Sequence, residues 1–245
     1  MGDRTLTNSL TQRNHSARSP WFWLWGLGLA AIAHLGCTAV VLLGPPTGWH
    51  AWEAQMLLYL HGLAAPALDR WALTLTGWGT RWGTLPIAVV GALLWAGQRQ
   101  WRKLAYWVGA IGGTALAAAI LKVLWHRPRP DLWPSLLAPD RYPTDWSFPS
   151  GHATASLALV AALWMLLRRS TPGRFRGIAT WAIGLLGGSF AIAIAWTRLY
   201  LGLHFVTDIV GGWSLALVGA IGLAQWLPAP PPTSHPQSHR EDAAG

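Results

Sequence analysis

The stretch Leu104–Trp125, LAYWVGAIGGTALAAAILKVLW, contains a single charged residue, Lys122, in 22 residues. A helix rises about 1.5 Å per residue, so about 20 apolar residues cross the roughly 30 Å hydrocarbon core of a bilayer. Five further stretches have the same character: Trp21–Leu43, Trp82–Gln98, Gly151–Leu167, Gly177–Thr197 and Phe205–Leu227. The sequence has no strand-like alternation, and we predict an all-α polytopic membrane protein with six transmembrane helices in one bundle.

The composition agrees with a membrane protein. Of the 245 residues, 52% are hydrophobic and 11% are charged, whereas soluble globular domains carry roughly 25% charged residues. These values exclude a disordered chain and an ordinary cytosolic enzyme. The single cysteine, Cys37, can form neither an internal disulfide nor a cysteine metal site, which also excludes a disulfide-stapled secreted scaffold.

The chain divides into one membrane domain and two tails. We predict a cytoplasmic N-terminal tail over 1–20, the six-helix domain over 21–227 and a disordered C-terminal tail over 228–245, which is rich in proline, serine and histidine. The more mixed segment between Trp52 and Gly79 predicts one or two amphipathic helices at the membrane interface.

The distribution of lysine and arginine predicts the orientation. With six spans, most of the 18 basic residues lie on the face that holds both termini. The positive-inside rule makes that face cytoplasmic, as in a bacterial inner (plasma) membrane. The same rule accounts for the net charge of +9, so we do not expect nucleic acid as a partner. The sequence predicts no particular oligomeric state.

The opposite, non-cytoplasmic face keeps basic residues in three short blocks. These blocks are Lys122–Pro130 (KVLWHRPRP), Phe148–His152 (FPSGH) and Thr197–Asp208 (TRLYLGLHFVTD). The loops that carry them fall on one face of the membrane, so their side chains can converge. Basic residues retained against the orientation rule indicate a function at that face.

The residue types in these blocks suit the binding of a phosphate group. Lys122, Arg129 and Arg198 supply positive charge, and guanidinium groups match phosphate oxygens in bidentate fashion. Ser150 and the backbone N–H groups near Gly151 add donors where a helix begins. Phosphoryl transfer needs little beyond positioning and charge compensation. The acidic residues of this face form no paired Mg²⁺-binding motif, so we predict no metal and no cofactor.

Two histidines can divide the covalent chemistry. His204 and Asp208 are four residues apart and share one face at the start of a helix. The carboxylate can hold one ring nitrogen as N–H, which leaves the other nitrogen free to attack phosphorus. A protonated His152 would donate its proton to the leaving oxygen and later accept one from the attacking water.

In this order and with these spacings, the three blocks resemble the signature of the type 2 phosphatidic acid phosphatase (PAP2) superfamily, K-x6-RP, PSGH and SR-x5-H-x3-D. The resemblance covers about 122–212 and departs at Thr197, which replaces the usual serine and keeps a hydroxyl group. It implies that His204 is the nucleophile, His152 the acid–base and Asp208 the orienting partner. It also implies that the three cations named above hold the phosphate.

We therefore expect a metal-independent lipid phosphatase that acts through a phosphohistidine. Its possible substrates include phosphatidic acid, phosphatidylglycerophosphate, diacylglycerol pyrophosphate and undecaprenyl diphosphate, which all present a terminal phosphate. A lipid phosphotransferase and a non-catalytic lipid-phosphate binding or transport protein remain alternatives, because they would share the phosphate-binding residues. A vanadate-dependent haloperoxidase, from the same superfamily, is disfavoured by the six apolar stretches.

Other polar residues of the membrane domain are expected to be structural. Ordinary packing or hydrogen bonding is expected for four histidines, His34, His50, His61 and His126. Arg127 and Arg141 are expected to be solvated or to contact lipid headgroups.

Overall fold

The computed structural model describes residues 20–45, 50–137, 142–170 and 174–227. In these ranges the chain forms helices joined by turns and loops, without strands, which confirms the predicted all-α class. The predicted tails, apart from Pro20, and Arg141 lie outside the described residues.

Ten α-helices run along the described part of the chain. They are α1 Pro20–Leu42, α2 Ala51–Gly62, α3 Pro66–Trp78, α4 Thr84–Gly97, α5 Trp101–Val108, α6 Thr114–Trp125, α7 Gly151–Ser170, α8 Arg174–Ala182, α9 Gly188–Tyr200 and α10 Val206–Ala224. Two π-helical turns, Gly109–Gly113 and Ile183–Gly187, join α5 to α6 and α8 to α9, so each pair forms one continuous helical rod. A π-turn accommodates one extra residue without ending a helix.

Five helical stretches are long and apolar enough to cross a membrane. They are Trp23–Leu42, Trp101–Trp125, Gly151–Arg169, Gly177–Tyr200 and Val206–Ala224. At the position of the remaining predicted span lies α4, an apolar helix of 14 residues. Large apolar side chains face outward, for example Leu29 (66% exposed), Leu116 (62%) and Ile192 (61%). Such exposure suits lipid, and the chain is a multi-pass helical membrane protein.

Helix α10 packs against both α1 and α7. Two adjacent glycines of α10 allow the close approach to α7. A Cβ at Gly212 would lie 2.7 Å from the carbonyl oxygen of Ser150, and one at Gly211 would overlap the ring of Phe148. The Ser150 N–H donates to the carbonyl oxygen of Asp208 at 3.0 Å. The glycines therefore bring the N-terminal ends of α7 and α10 together.

Buried apolar residues join α5, α7 and the C-terminal end of α10. This cluster includes Tyr106, Trp107, Ala110, Leu159, Leu166 and Ala224. The Tyr106 hydroxyl donates to the carbonyl oxygen of Ala220 at 3.1 Å, so its buried polar atom is satisfied.

The mixed segment before α4 forms two helices, α2 and α3. The sequence predicts one or two helices here. Both helices pack against α9. Glu53 of α2 and Ala72 of α3 are fully buried. The segment therefore contributes side chains to the interior of the bundle, which the prediction of interfacial helices did not include.

Candidate active site

The three sequence blocks meet at one end of the bundle. The first follows α6, the second opens α7, and the third runs from the end of α9 into α10. The Ser147 N–H donates to the carbonyl oxygen of Arg127 at 2.8 Å, which joins the first block to the chain just before the second. The Ser150–Asp208 bond described above joins the second block to the third.

His204 and Asp208 form the contact predicted from their spacing. His204 Nδ1 lies 3.3 Å from Asp208 Oδ2, and both side chains are buried. The same oxygen accepts hydrogen bonds from the Ser147 hydroxyl and, at 2.9 Å, from the Phe205 N–H. These donors fix the orientation of the carboxylate beside the imidazole.

The second ring nitrogen of His204 faces a cation. Arg129 Nη1 lies 3.1 Å from His204 Nε2. A guanidinium group only donates, so Nε2 accepts and the ring proton is on Nδ1, toward Asp208. Burial, followed by the positive charge of Arg129 and Arg198, lowers the pKa of His204 well below its usual value. The ring is therefore neutral at neutral pH, and the lone pair of Nε2 is directed at the guanidinium group of Arg129.

Two of the three predicted phosphate-binding cations share an acidic partner. Asp145 Oδ2 lies 3.0 Å from Lys122 Nζ, and Asp145 Oδ1 lies 2.5 Å from Arg129 Nη2. Burial alone would raise the pKa of Asp145, but Lys122 and Arg129 outweigh that effect and lower it. The Asp145 side chain is 54% exposed, whereas those of Lys122 and Arg129 are 10% and 8% exposed, so water reaches the anion far more than the two cations.

The third cation, Arg198, is buried at the end of α9. Its Nη1 donates to Thr76 Oγ1 at 2.9 Å. Arg198 Nε and Ser150 Oγ are buried and have no hydrogen-bond partner among the described residues. Buried donors are nearly always satisfied in folded proteins, and an oxyanion would satisfy both of these. A Cβ at Gly151 would meet none of the described atoms within 4 Å, so there is open space beside it.

His152 lies in the first turn of α7 and contacts the turn that follows α3. Its Nε2 lies 3.3 Å from Thr80 Oγ1, and its Cδ2 would lie 3.2 Å from a Cβ at Gly79. Thr76 and Thr80 therefore contact Arg198 and His152, respectively. The end of α3 thus connects the second and third blocks.

The expectation that Arg127 is solvated or contacts headgroups is wrong. Arg127 is 2% exposed and pairs with Glu53 at 2.7 Å and with Asp208 at 2.5 Å. Its guanidinium carbon lies 4.5 Å from the centroid of the Phe205 ring. Two buried carboxylates require a buried cation, which is the physical reason for its position. The sequence signal was Glu53 itself, an acidic residue in a largely apolar helix.

The four histidines expected to be structural make contacts of that kind. His34 Nδ1 lies 3.0 Å from the Gly211 carbonyl oxygen, and His50 Nε2 lies 3.3 Å from that of Val40. The rings of His61 and His126 pack on Trp133 and Trp146. Thr197, which replaces the serine of the signature, is buried and donates its hydroxyl proton to the Ile194 carbonyl oxygen at 2.6 Å.

An apolar groove of about 550 Å³ lies next to the turn that follows α3. Its walls come from α4 and from the rod formed by α5 and α6, with residues such as Leu85, Val89 and Ile111. Thr80, which contacts His152, also lines the groove. Thr80 therefore links the groove to the second block through its contact with His152.

Comparison with known proteins assigns the family. The family model described as the PAP2 superfamily matches residues 103–231, which is more than half of the chain. The chain belongs to the PAP2 superfamily. This confirms the resemblance inferred from the three blocks, and the matched region contains all of the predicted PAP2 site residues. Glu53 lies outside it.

Several PAP2 relatives are named phosphatases. Phosphatidylglycerophosphatase B of Bacillus subtilis is 30% identical over 132 residues, which cover 54% of this chain and 61% of that protein. Decaprenylphosphoryl-5-phosphoribose phosphatase of Mycobacterium tuberculosis is 35% identical over 141 residues, which cover 57% of this chain and 69% of that protein. The chain therefore spans less than two thirds of the first of these relatives.

A solved structure shares the fold over most of the chain. The crystal structure of a transmembrane PAP2 type phosphatidylglycerolphosphate phosphatase from Bacillus subtilis matches with a TM-score of 0.67 and 25% sequence identity. The match covers 82% of this chain and 94% of that chain. Within the residues described here, no group of three or more His, Cys, Asp or Glu side chains is arranged to hold a metal ion.

Proposed function

We propose that this chain is an integral-membrane phosphatase that hydrolyses the terminal phosphate of a lipid phosphomonoester or diphosphate. The observation that carries the proposal is the environment of His204. Its Nδ1 is held by Asp208 and its Nε2 faces Arg129, so a neutral ring directs a lone pair at a phosphate-binding group. The phosphatase names of the PAP2 relatives support the same reaction.

The first step forms a phosphohistidine. The lone pair on His204 Nε2 attacks phosphorus, the bond between phosphorus and the lipid oxygen breaks, and His152 gives its proton to that oxygen. The imidazole becomes positively charged as the P–N bond forms, and the Asp208 carboxylate stabilises this charge. The non-bridging oxygens are compensated by three cations, Lys122, Arg129 and Arg198.

The second step restores the enzyme. A water molecule attacks the phosphohistidine and transfers a proton to His152, the P–N bond breaks, and its electron pair returns to His204 Nε2. Inorganic phosphate then leaves. All proton transfers are assigned to residues of the chain, so the proposed reaction needs neither a metal nor a cofactor.

The apolar groove supports a lipid as the substrate. Thr80, which contacts the proposed acid His152, is one of its lining residues, and most of its other lining residues are apolar. If the cations hold the headgroup, the hydrocarbon chain of the lipid can lie in this groove. Its apolar walls would replace the contacts that the chain makes with other lipids in the bilayer. The distribution of basic residues supports a site on the non-cytoplasmic face of an inner (plasma) membrane, with both termini cytoplasmic.

The experiment is a substrate panel on the purified full chain in lipid nanodiscs. Phosphatidic acid, phosphatidylglycerophosphate and undecaprenyl diphosphate are supplied separately, with and without EDTA, and release of inorganic phosphate is measured. We expect release from at least one lipid, unaffected by EDTA and abolished in His204→Asn. Binding of the lipids without release would contradict the proposal and leave a binding or transport protein.

Two other outcomes would identify related activities. Transfer of labelled phosphate to an acceptor lipid instead of water would show a phosphotransferase. Halide oxidation dependent on vanadate and peroxide would show a haloperoxidase.

A further inference from the structure

The proposed nucleophile is linked to a buried acidic residue outside the PAP2 signature. Glu53 lies on α2 and its side chain is 0% exposed. Its Oε2 accepts from Arg127 Nη2 at 2.7 Å and from the His50 N–H at 3.3 Å. Its Oε1 accepts from the Thr207 N–H at 3.2 Å and from the Thr207 hydroxyl at 2.6 Å. Each carboxylate oxygen therefore accepts from two donors, and one of the two donors to Oε2 is the guanidinium group of Arg127.

Arg127 extends this link to the proposed active site. Its Nη1 donates to Asp208 Oδ1 at 2.5 Å and to the Thr207 hydroxyl at 2.6 Å. Asp208 contacts His204 through its other oxygen, Oδ2. Four buried groups thus follow one another from Glu53 to Arg127, Asp208 and His204, and each member fixes the next.

The charges of this chain of contacts decide what Glu53 contributes. Two carboxylates and one guanidinium carry a net charge of about −1 beside His204. If Glu53 were neutral, Arg127 would cancel the charge of Asp208. The proposed reaction places a positive charge on His204, and a nearby negative charge stabilises it most strongly where water is excluded.

We propose that Glu53 is a positioning residue of the active site, which acts through Arg127 to keep Asp208 aligned with His204 and its negative charge uncancelled. This inference rests on the proposed phosphohistidine reaction. Buried ion pairs are often no more stabilising than apolar residues of the same size, so stability alone does not explain this pair. Among the described contacts, Glu53 touches none of the three proposed phosphate-binding cations, so its loss should spare phosphate binding.

The kinetic test compares Glu53→Gln with Asp69→Asn. Glutamine keeps the shape of Glu53 and removes its charge. Asp69 lies on the neighbouring helix α3 and accepts from the Tyr200 hydroxyl at 2.6 Å, so its variant removes an acid outside the linked groups. We expect Glu53→Gln to lower kcat at least about tenfold, as loss of supporting contacts does in other sites, with KM and orthovanadate inhibition changed less than about threefold. Asp69→Asn should keep the kcat of the parent protein.

A second readout does not depend on turnover. In protein labelled with ¹⁵N-histidine, the resonances of His204, assigned with His204→Asn, report which ring nitrogen carries the proton. We expect the Nδ1–H form in the parent protein and a larger share of the Nε2–H form in Glu53→Gln, because a cancelled carboxylate is a weaker acceptor. If the parent releases no phosphate from any lipid yet this shift is seen, the proposed function fails and the positioning role stands.

Further variants separate charge from folding. Glu53→Asp keeps the charge, so it should recover most of kcat relative to Glu53→Gln. Because Glu53 acts through Arg127, the double variant Glu53→Gln with Arg127→Gln should lose no more kcat than Arg127→Gln alone. The inference would be overturned by a kcat of Glu53→Gln within about twofold of the parent with unchanged ¹⁵N resonances. If Glu53→Gln does not fold, a Glu53→Asp variant that folds and whose His204 tautomer and kcat are no better than those of Asp208→Asn would overturn it as well.

Discussion

Arg129 donates to His204 Nε2 across 3.1 Å, so a residue proposed to hold the phosphate touches the nitrogen proposed to attack it. A phosphate oxygen that replaces His204 Nε2 as the acceptor of this hydrogen bond would lie next to that nitrogen. The same contact keeps the Nε2 lone pair in place before substrate arrives. Binding and attack are therefore coupled through a single guanidinium group.

The role of His152 predicts a dependence on the leaving group. An alcohol leaves with a pKa close to that of water, about 15.7, so it needs a proton far more than a phosphate does. We expect His152→Ala to lower kcat/KM for phosphatidic acid by about 10²–10⁴-fold and for a lipid diphosphate much less. Steady-state kinetics on the two lipids measure this difference, because kcat/KM excludes the later hydrolysis, in which His152 acts as the base. Equal losses would remove His152 from the role of general acid.

Asp145 predicts competition with phosphate. Its carboxylate occupies Lys122 and Arg129, which an incoming phosphate also needs. Water reaches the half-exposed Asp145 and weakens both ion pairs although the two cations are nearly buried, so we expect Asp145→Asn to lower the inhibition constant of orthovanadate by up to about fivefold. Asp131→Asn, an exposed acid in the same loop, is the matched control and should leave the constant unchanged. A weaker inhibition in Asp145→Asn would instead show that the carboxylate orders the two cations for binding.

The lowered pKa of His204 predicts the pH dependence of stability. Between its lowered pKa in the folded protein and about 6.5, the unfolded state binds more protons at this residue than the folded state does. The free energy of unfolding should therefore fall as the pH is lowered below about 6.5. Thermal unfolding of the parent and of His204→Gln, measured from pH 7 to pH 4, checks this. A pH dependence identical in both would contradict a buried neutral imidazole.

Two threonines near the end of α3 predict separable kinetic effects. Thr80 contacts His152, and Thr76 accepts a hydrogen bond from Arg198. A typical hydrogen bond contributes about 0.5–1.5 kcal/mol, which corresponds to about 2- to 12-fold in a rate or binding constant. We expect Thr80→Val to lower kcat by this factor and Thr76→Val to raise KM. Steady-state kinetics on one lipid phosphate measure both, and each variant is the control for the other.

The contact between α7 and α10 predicts an intolerant glycine. A Cβ at Gly212 would lie 2.7 Å from the backbone oxygen of Ser150, which has little freedom to move. Overpacking of this kind costs about 1–3 kcal/mol, so Gly212→Ala should lower the melting temperature. Gly28→Ala, where a Cβ on α1 meets none of the described atoms within 4 Å, should not. Equal melting temperatures would show that the helices can separate without loss.

The features predicted from the sequence are those with a local pattern. The apolar stretches predict the helical bundle because the length and apolar composition of each stretch are enough to indicate a membrane-spanning helix. The spacing of His204 and Asp208 predicts their contact because residues four apart share a face of a helix. The PAP2 blocks also predict site residues such as Ser150, because their positions within a short motif are fixed.

The features that escaped prediction depend on contacts distant in sequence. No local pattern joins Glu53 to Arg127, which are 74 residues apart, and the charge of Arg127 alone fits a solvated residue equally well. The pairing of Asp145 with Lys122 depends on the path of the loop between α6 and α7. The length of α4 depends on the positions of the turns that precede and follow it, and apolar composition does not specify those positions.

The 14 residues of α4 have a consequence for the surrounding bilayer. At about 1.5 Å per residue the helix is about 21 Å long, several ångströms less than the hydrocarbon thickness. Such hydrophobic mismatch is relieved when the adjacent leaflet thins. The phosphates of lipids next to α4 would then lie closer to the bilayer midplane than those of other lipids, and therefore nearer to the groove that α4 lines, before any of these lipids has left the membrane.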